Sequence, residues 1–573
     1  MKDNVKLEAI KSSGDEWNRG PVKDFLSRQP ERRKEFLSHS GIRVKRLYTP
    51  ADISSSNYLK DLNFPGQYPF TRGAYPTMYR ARLWTFRPET GRATPEETNM
   101  QFKKILEKGA TGLSVGVNWT WVQSDVDPDE PSFADLYGGQ LGRSGYCACT
   151  LRDWQIMFDG IPLDKVSTSL NDCHMPQREL AFYIAVAKSQ GVALEKLTGN
   201  CEADPFELYY AIMADTYPPE HNLRLFVDTA EFCLKYMPRW NLTSLSAYNR
   251  AEAGVTQVQE LAFGFADAIA YIEACLERGI NIDDLAPRFP FYFGVHNDFF
   301  ENVAKLRAAR RIWARLMRER FGAKRPESCR MKIHVQTEGR TTSAQMPELN
   351  IIRAAIQGLS AVLGGVQSLH ITTFDEPLGT PTDYAQYLSV RTHQIIASES
   401  GVVNTIDPLG GSYYVEWLTN QIEEEVFKLL KKIESMGGAL AAIKNGFYVR
   451  QIEENILREK SERESGQRVV VEEDAFQSGE KTRLPYEWYL PDPGGWDRLL
   501  MRLKEVKESR DVDRVKKSLD KLKKAALGRE NLIPLIIDAV EAYCTSAEIN
   551  RSLKEVWGRY DHNAISHLSS ALI

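Results

Sequence analysis

Short apolar runs alternate with longer amphipathic stretches across residues 71–415. Six of the runs have the length and composition of strands, and helical segments such as 260–279 and 300–322 lie between them. The candidate strands are 112–118, 165–170, 242–249, 288–295, 331–337 and 366–373. This alternation predicts a parallel α/β fold, and a TIM (β/α)8 barrel fits it better than an open sheet. No G-x-G-x-x-G run follows a strand, so the dinucleotide fingerprint is absent.

Small polar residues occupy one face of several candidate strands. Because successive strand residues point to opposite faces, the alternation places these side chains together in groups. The groups are Ser167 with Ser169, Ser244 with Ser246, His334 with Gln336, and Ser368 with His370 and Thr372. A usual barrel fills its interior with Val, Ile and Leu, so polar residues on the inner face predict a lumen wide enough for an extended polar ligand. The alternative is that these side chains face the surrounding helices as tolerated substitutions.

The segments on either side of the alternating region are charged and helical. Residues 1–70 include an amphipathic stretch at 16–37 and are predicted to form an N-terminal arm that contacts another subunit. The barrel is assigned to 71–420, and 421–573 is assigned to a helical extension or linker whose charged faces are mostly solvated. A loop at 486–498 is interpreted as a linker within that extension.

Composition limits the class and the compartment. The 573 residues exceed one average core, so two to four domains are expected. The hydrophobic content of 42% and the net charge of −4 are typical of a soluble enzyme and give no drive toward nucleic acid or an anionic membrane. A polar N-terminus, without any apolar run of about 18 residues, predicts a cytoplasmic protein. The eight cysteines show no zinc-ligand spacing, so we expect reduced thiols and no metal site in this chain.

The segment 71–99 carries the most informative chemistry. It places five arginines among four aromatic residues, with Gly and Pro at both ends. The arginines are Arg72, Arg80, Arg82, Arg87 and Arg92, and the aromatic residues are Tyr75, Tyr79, Trp84 and Phe86. Guanidinium groups bind phosphate oxygens in a fork and aromatic faces stack on flat bases, so the segment suits a ligand with a nucleotide and phosphates. The alternative is a solvated basic loop.

Ordered runs along nearly the whole chain carry a family resemblance. They are YPFTRGAYPTMY (68–79), FDGIPLDKVS (158–167), NRAEAG (249–254), LAPRFPFYFG (285–294), KLRAARRIWA (305–314), VLGGVQSLH (362–370), FDEPLGTPT (374–382) and IDPLGGSYYVE (406–416). The chain resembles the large subunit of adenosylcobalamin-dependent acyl-CoA mutases, which include methylmalonyl-CoA, isobutyryl-CoA and 2-hydroxyisobutyryl-CoA mutases. The resemblance implies a TIM barrel threaded by the pantetheine arm of CoA, with the nucleotide at the N-terminal mouth. It also implies an isomerase that performs a radical carbon-skeleton rearrangement at the C-terminal face, against cobalamin held by a second domain.

The resemblance also implies site residues by position. The CoA-binding positions are Tyr75, Met78, Arg82, Thr85, Arg87, Ser114, Ser169, Asn241 and Arg288. The positions at cobalamin and its adenosyl group are Glu252, Gly339, Thr372 and Glu376, and His334 and Gln336 match barrel residues near CoA and substrate. Arg82 and Arg87 favour a bound anion on their own chemistry, because burying two unpaired arginines beside Trp84 is costly.

A cobalamin-domain signature, D-x-H-x-x-G, is absent from the sequence. Asp172-Cys173-His174 comes nearest, but Gln177 stands where the glycine is required. The resemblance therefore implies a separate small subunit that carries the ligand histidine and shares adenosylcobalamin with this chain, with the charged tail as its dock or as a truncated linker. By resemblance only, it also implies a GTPase chaperone that reactivates the enzyme.

Departures from the family pattern cluster in the substrate pocket. Two carboxylates are new, since Glu89 replaces Tyr, Phe or Ile and Glu202 replaces Gln. Ala214 stands where methylmalonyl-CoA mutase has the Arg that holds the substrate carboxylate, and Asn249 replaces the His that hydrogen-bonds the thioester carbonyl. The remaining changes are Asn118 at the Asp of hydroxyacyl specificity, Thr372 at an Asn near the adenosyl group, and Asn171 and Asn200 at two Thr near the acyl group.

These departures predict a substrate other than methylmalonyl-CoA. Buried carboxylates are costly unless they are paired or protonated, so Glu89 and Glu202 suit hydroxyl or ammonium donors on the acyl group, or a carboxylic acid that donates a proton. Asn249 can still donate a hydrogen bond, but it cannot deliver a proton as imidazolium does. The alternative for Glu89 is a salt bridge with a local arginine such as Arg92, away from the substrate.

Three functions are compatible with these residues. The first is the large subunit of an acyl-CoA mutase that acts on a polar-substituted branched acyl-CoA, with Asn249, Glu89, Glu202, His334 and Gln336 as its catalytic group. The second is a CoA-binding scaffold or regulatory subunit without turnover, which the joint loss of the family's Tyr, Arg and His motivates. The third and weakest is a barrel enzyme that uses CoA esters without cobalamin.

Overall fold

A ring of short parallel strands, surrounded by helices, forms the centre of the protein. The computed structural model describes residues 2–118, 124–133, 145–172, 174–202, 204–480 and 489–562. The strands are β1 (Thr85–Phe86), β2 (Glu89–Thr90), β3 (Gly112–Gly116), β4 (Ser167–Asn171), β5 (Gly199–Cys201), β6 (Trp240–Asn241), β7 (Leu245–Ser246), β8 (Pro290–Val295), β9 (Lys332–Thr337) and β10 (Ser368–His370). Cys173 and residues 481–488 of the predicted linker region lie outside the described residues.

The strand order closes the ring. One sheet has the order β1-β10-β9-β8-β7 and the other β2-β3-β4-β5-β6, and every pairing is parallel. The β1–β2 and β6–β7 segments each pass from one sheet to the other. At the second crossing, Leu242 N–H donates to Arg288 O at 3.1 Å, while Ser244 N–H donates to Cys201 O at 2.7 Å on the opposite side. The predicted TIM barrel is therefore confirmed, with two kinked strand segments as its corners.

Helices cover the outside of the ring. In the barrel region they are α3 (Pro95–Glu107), α4 (Leu151–Met157), α5 (Pro176–Ser189), α6 (Pro219–Tyr236), α7 (Tyr248–Ala253), α8 (Gln257–Glu277), α9 (Ile282–Leu285), α10 (Phe299–Arg315), α11 (Pro326–Cys329), α12 (Leu349–Leu363) and α13 (Asp383–Ser398), and α1 (Lys2–Trp17) and α2 (Lys23–Leu26) precede them. The later helices are α14 (Tyr413–Ser435), α15 (Gly438–Lys444), α16 (Phe447–Glu464), α17 (Gly495–Ser509), α18 (Val512–Ala526), α19 (Ile533–Glu541) and α20 (Ser546–Trp557). None of these described helices is long and apolar enough to cross a bilayer.

Local sequence signals explain where the long helices begin. A capping box between Thr256 and Gln259 starts α8, and the Asp298 side chain accepts the Glu301 N–H at the start of α10. These helices correspond to the predicted segments 260–279 and 300–322. The last turn of the second segment is a π-helix.

The strand predictions fail where the chain turns at the barrel rim. The predicted strand 242–249 contributes only β7, because α7 begins at Tyr248 and carries Asn249 in its first turn. Strands β1, β2, β5 and β6 were not predicted. Each has two or three residues, which is too short for alternation to show.

The C-terminal helices are integrated with the barrel, where a mostly solvated extension was expected. Leu522, Ile533 and Ile536 are fully buried and belong to the same hydrophobic core as the barrel strands. Arg224 of α6 donates to the Ala525 carbonyl at 2.9 Å, which fixes the end of α18 against the barrel. Burial of this apolar face, rather than helix propensity, stabilises the segment.

A buried ion-pair triad ties α7 to its neighbours. The Arg250 guanidinium contacts the carboxylates of Asp204 and Asp267, and all three side chains are fully buried. Arg250 also donates to the Ser246 carbonyl at 3.2 Å. Removing the cation would leave two buried carboxylates without compensation.

We therefore expect Arg250→Met to lower the free energy of unfolding by about 3–5 kcal/mol. The matched control is Arg325→Met, whose exposed pair with Asp284 should contribute less than about 1 kcal/mol. Urea denaturation followed by circular dichroism measures both values. Equal effects of the two substitutions would show that the triad does not stabilise the fold.

Candidate functional site

The N-terminal half of the ring encloses a cavity of about 640 Å3. The predicted polar faces line it through Ser167, Ser169, Ser244, His334 and Ser368. Alternate residues point outward and are fully buried beneath the helices, as Leu245, Val335 and Leu369 show. The prediction of a polar lumen is confirmed for these five residues, which face the axis and not the helices, whereas Ser246 and Thr372 of the predicted polar faces line neither cavity.

A second cavity of about 350 Å3 occupies the C-terminal half. It is lined by residues at the ends of the strands, including Glu89, Asn171 and Gln336. Glu202 and Tyr292 line both cavities. The two cavities therefore adjoin along the barrel axis, one toward the N-terminal mouth and one toward the catalytic end of a TIM barrel, and we call the two together the channel.

Two glycines of β3 make room for side chains that cross the channel. A Cβ at Gly116 would lie 2.8 Å from Glu89 Oε1, and a Cβ at Gly112 would lie 3.1 Å from Arg87 Nη2. Any larger residue at Gly116 would therefore displace the Glu89 carboxylate.

Arg87 lines the N-terminal cavity. It is 8% exposed and donates to the Leu113 carbonyl at 2.7 Å and to Ser167 Oγ at 2.9 Å. Burial lowers the pKa of Arg87 to about 10. Among the described ion pairs none involves Arg87, so its charge is compensated only by neutral acceptors. Such a group favours an anionic or strongly polar ligand.

The N-terminal mouth collects most of the predicted CoA-binding residues. Tyr75, Met78, Arg82, Thr85, Ser169 and Asn241 line the cavity together with Arg87. Arg82 is exposed, and the Arg330 guanidinium lies 5.3 Å from the Tyr75 ring centre. Lys332, which sequence reasoning missed, also lines this cavity and donates to Asn241 Oδ1 at 3.3 Å. Burial lowers the pKa of Lys332.

The other paired arginines of 71–99 have structural partners. Arg72 pairs with Asp407 at 2.9 Å, and Arg92 pairs with Asp383 at 2.7 Å. The proposed salt bridge between Arg92 and Glu89 is therefore wrong, because the Arg92 guanidinium is directed to Asp383. Glu89 faces the C-terminal cavity instead.

An aromatic pair forms the wall where the two cavities join. The Tyr248 and Tyr292 rings are stacked, with centroids 4.9 Å apart. Gln336 accepts a hydrogen bond from the Tyr292 hydroxyl and donates to the Tyr248 hydroxyl at 2.8 Å. His334 Nδ1 lies 2.9 Å from Ser368 Oγ, and burial holds the His334 pKa well below its usual range. His334 is therefore neutral at pH 7 and acts as a hydrogen-bonding group there.

Three carboxylates share the C-terminal cavity. Burial raises the pKa of Glu202 well above its usual value, and Glu207 and Glu89 add repulsion. Burial likewise raises the pKa of Glu89, although a hydrogen bond from Asn171 opposes the shift. Burial and the charge of Glu89 raise the pKa of Glu376 to about 8. This end of the channel therefore holds three carboxyl groups whose burial and mutual repulsion favour the protonated form, whereas the mouth is lined by basic side chains.

Side-chain amides complete the wall. Asn171 Nδ2 donates to Ser114 Oγ at 2.8 Å, and Asn200 Nδ2 donates to Ser169 Oγ at 3.0 Å. Asn171 lines the C-terminal cavity and Asn200 the N-terminal one, so the two positions predicted near the acyl group lie in different cavities.

Asn249 lines the C-terminal cavity from the first turn of α7. Its Nδ2 donates to Glu207 Oε1 at 2.9 Å and to Ser246 Oγ at 3.3 Å. These contacts orient the amide at the cavity wall. Asn249 is therefore a hydrogen-bonding group within reach of a ligand there.

The C-terminal rim carries the predicted cobalamin residues. Glu252 Oε1 accepts the Gly339 N–H at 2.6 Å, and its Oε2 accepts the Arg340 N–H at 2.9 Å. A Cβ at Gly339 would lie 3.4 Å from Glu376 Oε1. The Gly339 backbone, which carries no side chain, therefore lies between the carboxylates of Glu252 and Glu376. These acceptors fit the cofactor implied by the resemblance, whose amide side chains and adenosyl group carry hydrogen-bond donors.

Seven predicted site residues belong to neither cavity lining, and two of them are Glu252 and Gly339. Ser114, Asn118, Ala214, Arg288 and Thr372 do not line either cavity. The Ala214 carbonyl accepts a hydrogen bond from His562 Nε2 at 2.7 Å, so this position faces the C-terminal segment. Arg288 donates to the Trp240 carbonyl, and the Thr372 N–H donates to Thr337 Oγ1 at 2.8 Å.

Sequence reasoning missed Tyr248, Tyr292 and Lys332 as wall residues, whereas His370 lies on the inner face as predicted. The alternation of β8 could have identified Tyr292 as a wall residue. Its neighbours Phe291 and Phe293 point outward, so Tyr292 between them points to the barrel axis. Tyr248 was hidden because a strand was predicted where α7 begins.

A cluster of possible metal ligands lies outside the channel. Ligand atoms of His39, His296 and Glu459 lie within 4.8 Å of one another. The Glu459 carboxylate already contacts Arg340 and Arg468, and burial lowers the pKa of His39 to about 4. Two guanidinium groups disfavour a cation at this position, and the cluster connects the N-terminal arm to α16.

Comparisons with known proteins agree with this geometry. The methylmalonyl-CoA mutase family model matches residues 37–559. The 2-hydroxyisobutanoyl-CoA mutase large subunit of Aquincola tertiaricarbonis is 38% identical over 561 residues, which cover 98% of this chain and 98% of that protein. Methylmalonyl-CoA mutase of Escherichia coli is 38% identical over 96% of this chain and 76% of its own length, and the human mitochondrial enzyme is 37% identical over 96% and 72%. The chain belongs to the methylmalonyl-CoA mutase family, whose members are cobalamin-dependent isomerases.

Proposed function

We propose that the chain is the substrate-binding large subunit of an adenosylcobalamin-dependent acyl-CoA mutase that acts on a polar-substituted branched acyl-CoA. The observation that carries the proposal is the pair of adjoining cavities along the barrel axis, which share Glu202 and Tyr292 as lining residues. A channel with a basic mouth and a polar wall suits CoA threaded along the barrel axis. The acyl group then reaches the acidic C-terminal half.

The residues of the mouth and wall have distinct roles along the CoA molecule. Arg82 and Lys332 bind phosphate oxygens at the mouth, since both line the N-terminal cavity and neither has an acidic partner there among the described ion pairs. Ser169, Asn200 and Ser244 hydrogen-bond the pantetheine amides. Their hydroxyl and amide groups offer both donors and acceptors, as a peptide-like arm requires.

The acyl group lies between the aromatic pair and the new carboxylates. Glu89 and Glu202 accept hydrogen bonds from a hydroxyl or ammonium substituent, while Asn249, whose two Nδ2 hydrogens are donated to Glu207 and Ser246, lines the pocket beside the thioester. No lysine or arginine lies among the described residues that line this cavity, so a free substrate carboxylate lacks a cationic partner. This is why we propose a substrate other than methylmalonyl-CoA.

The bound cofactor supplies the hydrogen-abstracting radical chemistry. In this chain, Glu252 and Glu376 present acceptors at the C-terminal rim, and the Tyr248–Tyr292 stack with Gln336 closes the wall behind the acyl group and excludes water. We propose that a cobalamin-binding small subunit covers this rim, because the name of one relative, "large subunit", implies such a partner. A GTPase reactivation chaperone is a further proposed partner, on the family resemblance alone.

A CoA-binding scaffold without turnover is the second candidate. The neutral residue Asn249 at the family's His position favours it, because the substrate cavity then lacks that ionisable group, whereas Ala214 at the family's Arg position lines neither cavity. The ordered carboxylate of Glu252, held by two backbone N–H groups, favours the mutase, since a scaffold has no need of a preserved cofactor rim.

Reconstitution separates these functions. The purified chain is mixed with a family small subunit and adenosylcobalamin, and hydroxylated, amino and plain branched acyl-CoAs are tested for isomerised product by mass spectrometry. Product from a polar-substituted acyl-CoA supports the mutase. CoA binding without product across the whole panel would support the scaffold and overturn the mutase.

Arg82→Ala should weaken CoA binding about tenfold, equivalent to about 1.4 kcal/mol, because a charged hydrogen bond to phosphate is lost. The matched control is Arg80→Ala, since Arg80 is an exposed arginine of the same segment outside the cavity lining. Isothermal titration calorimetry with free CoA measures both affinities. Identical affinities for the two variants would remove Arg82 from the CoA site.

Glu89→Gln should change the order of acyl-CoA preference while the affinity for free CoA stays within about twofold. The reason is that Glu89 lines the acyl end of the channel and not its mouth. Competition assays with paired acyl-CoAs measure the preference. An unchanged order would place the Glu89 carboxylate outside the substrate site.

A further inference from the structure

His370 is a buried imidazole at the acyl end of the channel to which the proposed function gives no role. It lies on β10, lines the C-terminal cavity and is 4% exposed. Its Nδ1 accepts the backbone N–H of Glu89 at 3.0 Å. Because Nδ1 is the acceptor in this contact, the neutral ring carries its proton on Nε2, which is therefore a hydrogen-bond donor.

The Nε2 atom of His370 opens onto the cavity and has no protein partner. No described residue makes a hydrogen bond to it, and it is not one of the unpaired atoms that are sealed in the core. His393 on α13 is the contrasting case, since its Nδ1 accepts from Trp84 Nε1 at 3.1 Å while its unpaired Nε2 is sealed from any ligand. A buried donor that faces a cavity requires an acceptor, and a ligand in the cavity can supply it.

The strand register places this donor beside the junction of the two cavities. His370 pairs with Gln336 of the neighbouring strand β9, and both residues line the C-terminal cavity. Gln336 accepts a hydrogen bond from the hydroxyl of Tyr292, which lines both cavities. The imidazole therefore lies on the layer of the barrel where a CoA ester that follows the axis would bring its thioester.

The other neutral donors near this junction are already used. Asn249 Nδ2 donates to Glu207 Oε1 at 2.9 Å and to Ser246 Oγ at 3.3 Å, which accounts for both of its hydrogens. The single hydroxyl hydrogen of Tyr292 is donated to Gln336. The Nε2–H group of His370, in contrast, has a hydrogen that no protein acceptor takes.

We propose that the Nε2–H group of His370 donates a hydrogen bond to the thioester carbonyl oxygen of the substrate. The inference rests on the proposed function, because it takes a CoA ester to lie along the channel. A carbonyl oxygen has lone pairs and no proton, so it complements a neutral N–H donor. Burial lowers the pKa of His370 to about 4, so at pH 7 the ring binds the oxygen without delivering a proton to it.

The assignment gives the chain an imidazole donor in place of the one that Asn249 cannot supply. The family resemblance places that imidazole on α7, at the position of Asn249, whereas here it comes from β10. Because Nδ1 of the same ring holds the Glu89 backbone, His370 connects the thioester to the segment that carries the Glu89 carboxyl group. The ring therefore orients the acyl substituent relative to Glu89 as well as binding the carbonyl oxygen.

Removal of the carbonyl from the ligand tests the assignment. Isobutyryl-CoA is compared by isothermal titration calorimetry with its thioether analogue isobutyl-CoA, in which a methylene group replaces the carbonyl. The protein is the chain reconstituted with a family small subunit and hydroxocobalamin, which has no adenosyl group and cannot start turnover. We expect the ester to bind about tenfold more tightly, because the thioether leaves a buried donor without its acceptor. Equal affinities would overturn the inference.

Two substitutions separate the donor from the contact with Glu89. His370→Asn keeps an acceptor near the place of Nδ1 and removes the donor at Nε2, whereas His370→Gln brings an amide N–H near the place of Nε2. We expect the ester-to-thioether affinity ratio to fall to within about twofold of unity in the first variant and to stay above about fivefold in the second. His221→Asn, at a half-buried histidine of α6 outside the channel, is the control and should leave the ratio unchanged. A wild-type ratio in His370→Asn would overturn the inference.

The carbonyl stretching frequency of the bound ester is a readout that a merely structural role of His370 would not move. Isotope-edited infrared spectroscopy of isobutyryl-CoA labelled at the thioester carbonyl measures it, and a hydrogen bond to the oxygen lowers it. We expect a lower frequency in the wild type and in His370→Gln than in His370→Asn. The same frequency in all three would overturn the inference. Should His370→Asn fail to fold, as judged by circular dichroism, a wild-type frequency equal to that of the ester in an apolar solvent would overturn it.

An oxygen on the acyl substituent is the other acceptor that the ring can meet. 2-Hydroxyisobutyryl-CoA is therefore compared with isobutyryl-CoA on the wild type and on His370→Asn. Loss of a hydroxyl preference in the variant, with an unchanged ester-to-thioether ratio, would assign the donor to the substituent and overturn the inference. Loss of the ester-to-thioether ratio, with the hydroxyl preference retained, supports it.

Free CoA separates this inference from the proposed function. Binding of free CoA together with equal affinities for the ester and the thioether would contradict the role of His370 and leave the proposed function intact. Failure of free CoA to bind would contradict the proposed function itself.

Discussion

The structure depends on one constraint, that the inner face of the barrel is built from small polar residues instead of branched aliphatic ones. A usual TIM barrel is packed through its centre, but here Ser169, Ser244 and Ser368 leave the axis open. The apolar core moves outward as a result. Phe291, Phe293 and Val335 are fully buried between strands and helices, and the C-terminal helices add to this layer.

The open centre of the barrel has basic side chains at one end and carboxyl groups at the other. Cations at Arg82, Arg87 and Lys332 lie toward the mouth, and carboxylates at Glu89 and Glu202 lie toward the other end. Neutral hydrogen-bonding groups such as Gln336 and Tyr292 lie between them. A ligand with a phosphate-bearing end and a donor-bearing end has one favourable orientation in such a channel, so orientation follows from electrostatics as well as from shape.

The fold and the N-terminal part of the site could be predicted from the sequence, because both depend on regular alternation. Ser167, Ser169, His334 and Ser368 were placed correctly on the inner face by their period of two. Strand β5 and the kinked corners could not be predicted, since their two or three residues show no period. Asn249 was predicted on a strand and lies on α7, because its local sequence carries no cap that separates strand from helix.

The sequence was least able to predict which carboxylate, if any, each buried arginine would pair with. Arg87 and Arg92 look alike in sequence, yet Arg92 pairs with Asp383 on a distant helix while Arg87 faces the channel. The glycines that admit Glu89 and Arg87 are likewise distant in sequence from them. Such contacts depend on the closed ring and not on local pattern.

The most direct measurement is a cryo-electron microscopy or crystal structure of the reconstituted enzyme with CoA bound. We expect density for CoA along the barrel axis, with phosphates beside Arg82 and Lys332 and the thiol near Glu202 and Tyr292. Density for CoA on the outer surface of the barrel, with the axis free of it, would contradict the central claim that the polar lumen is the CoA channel.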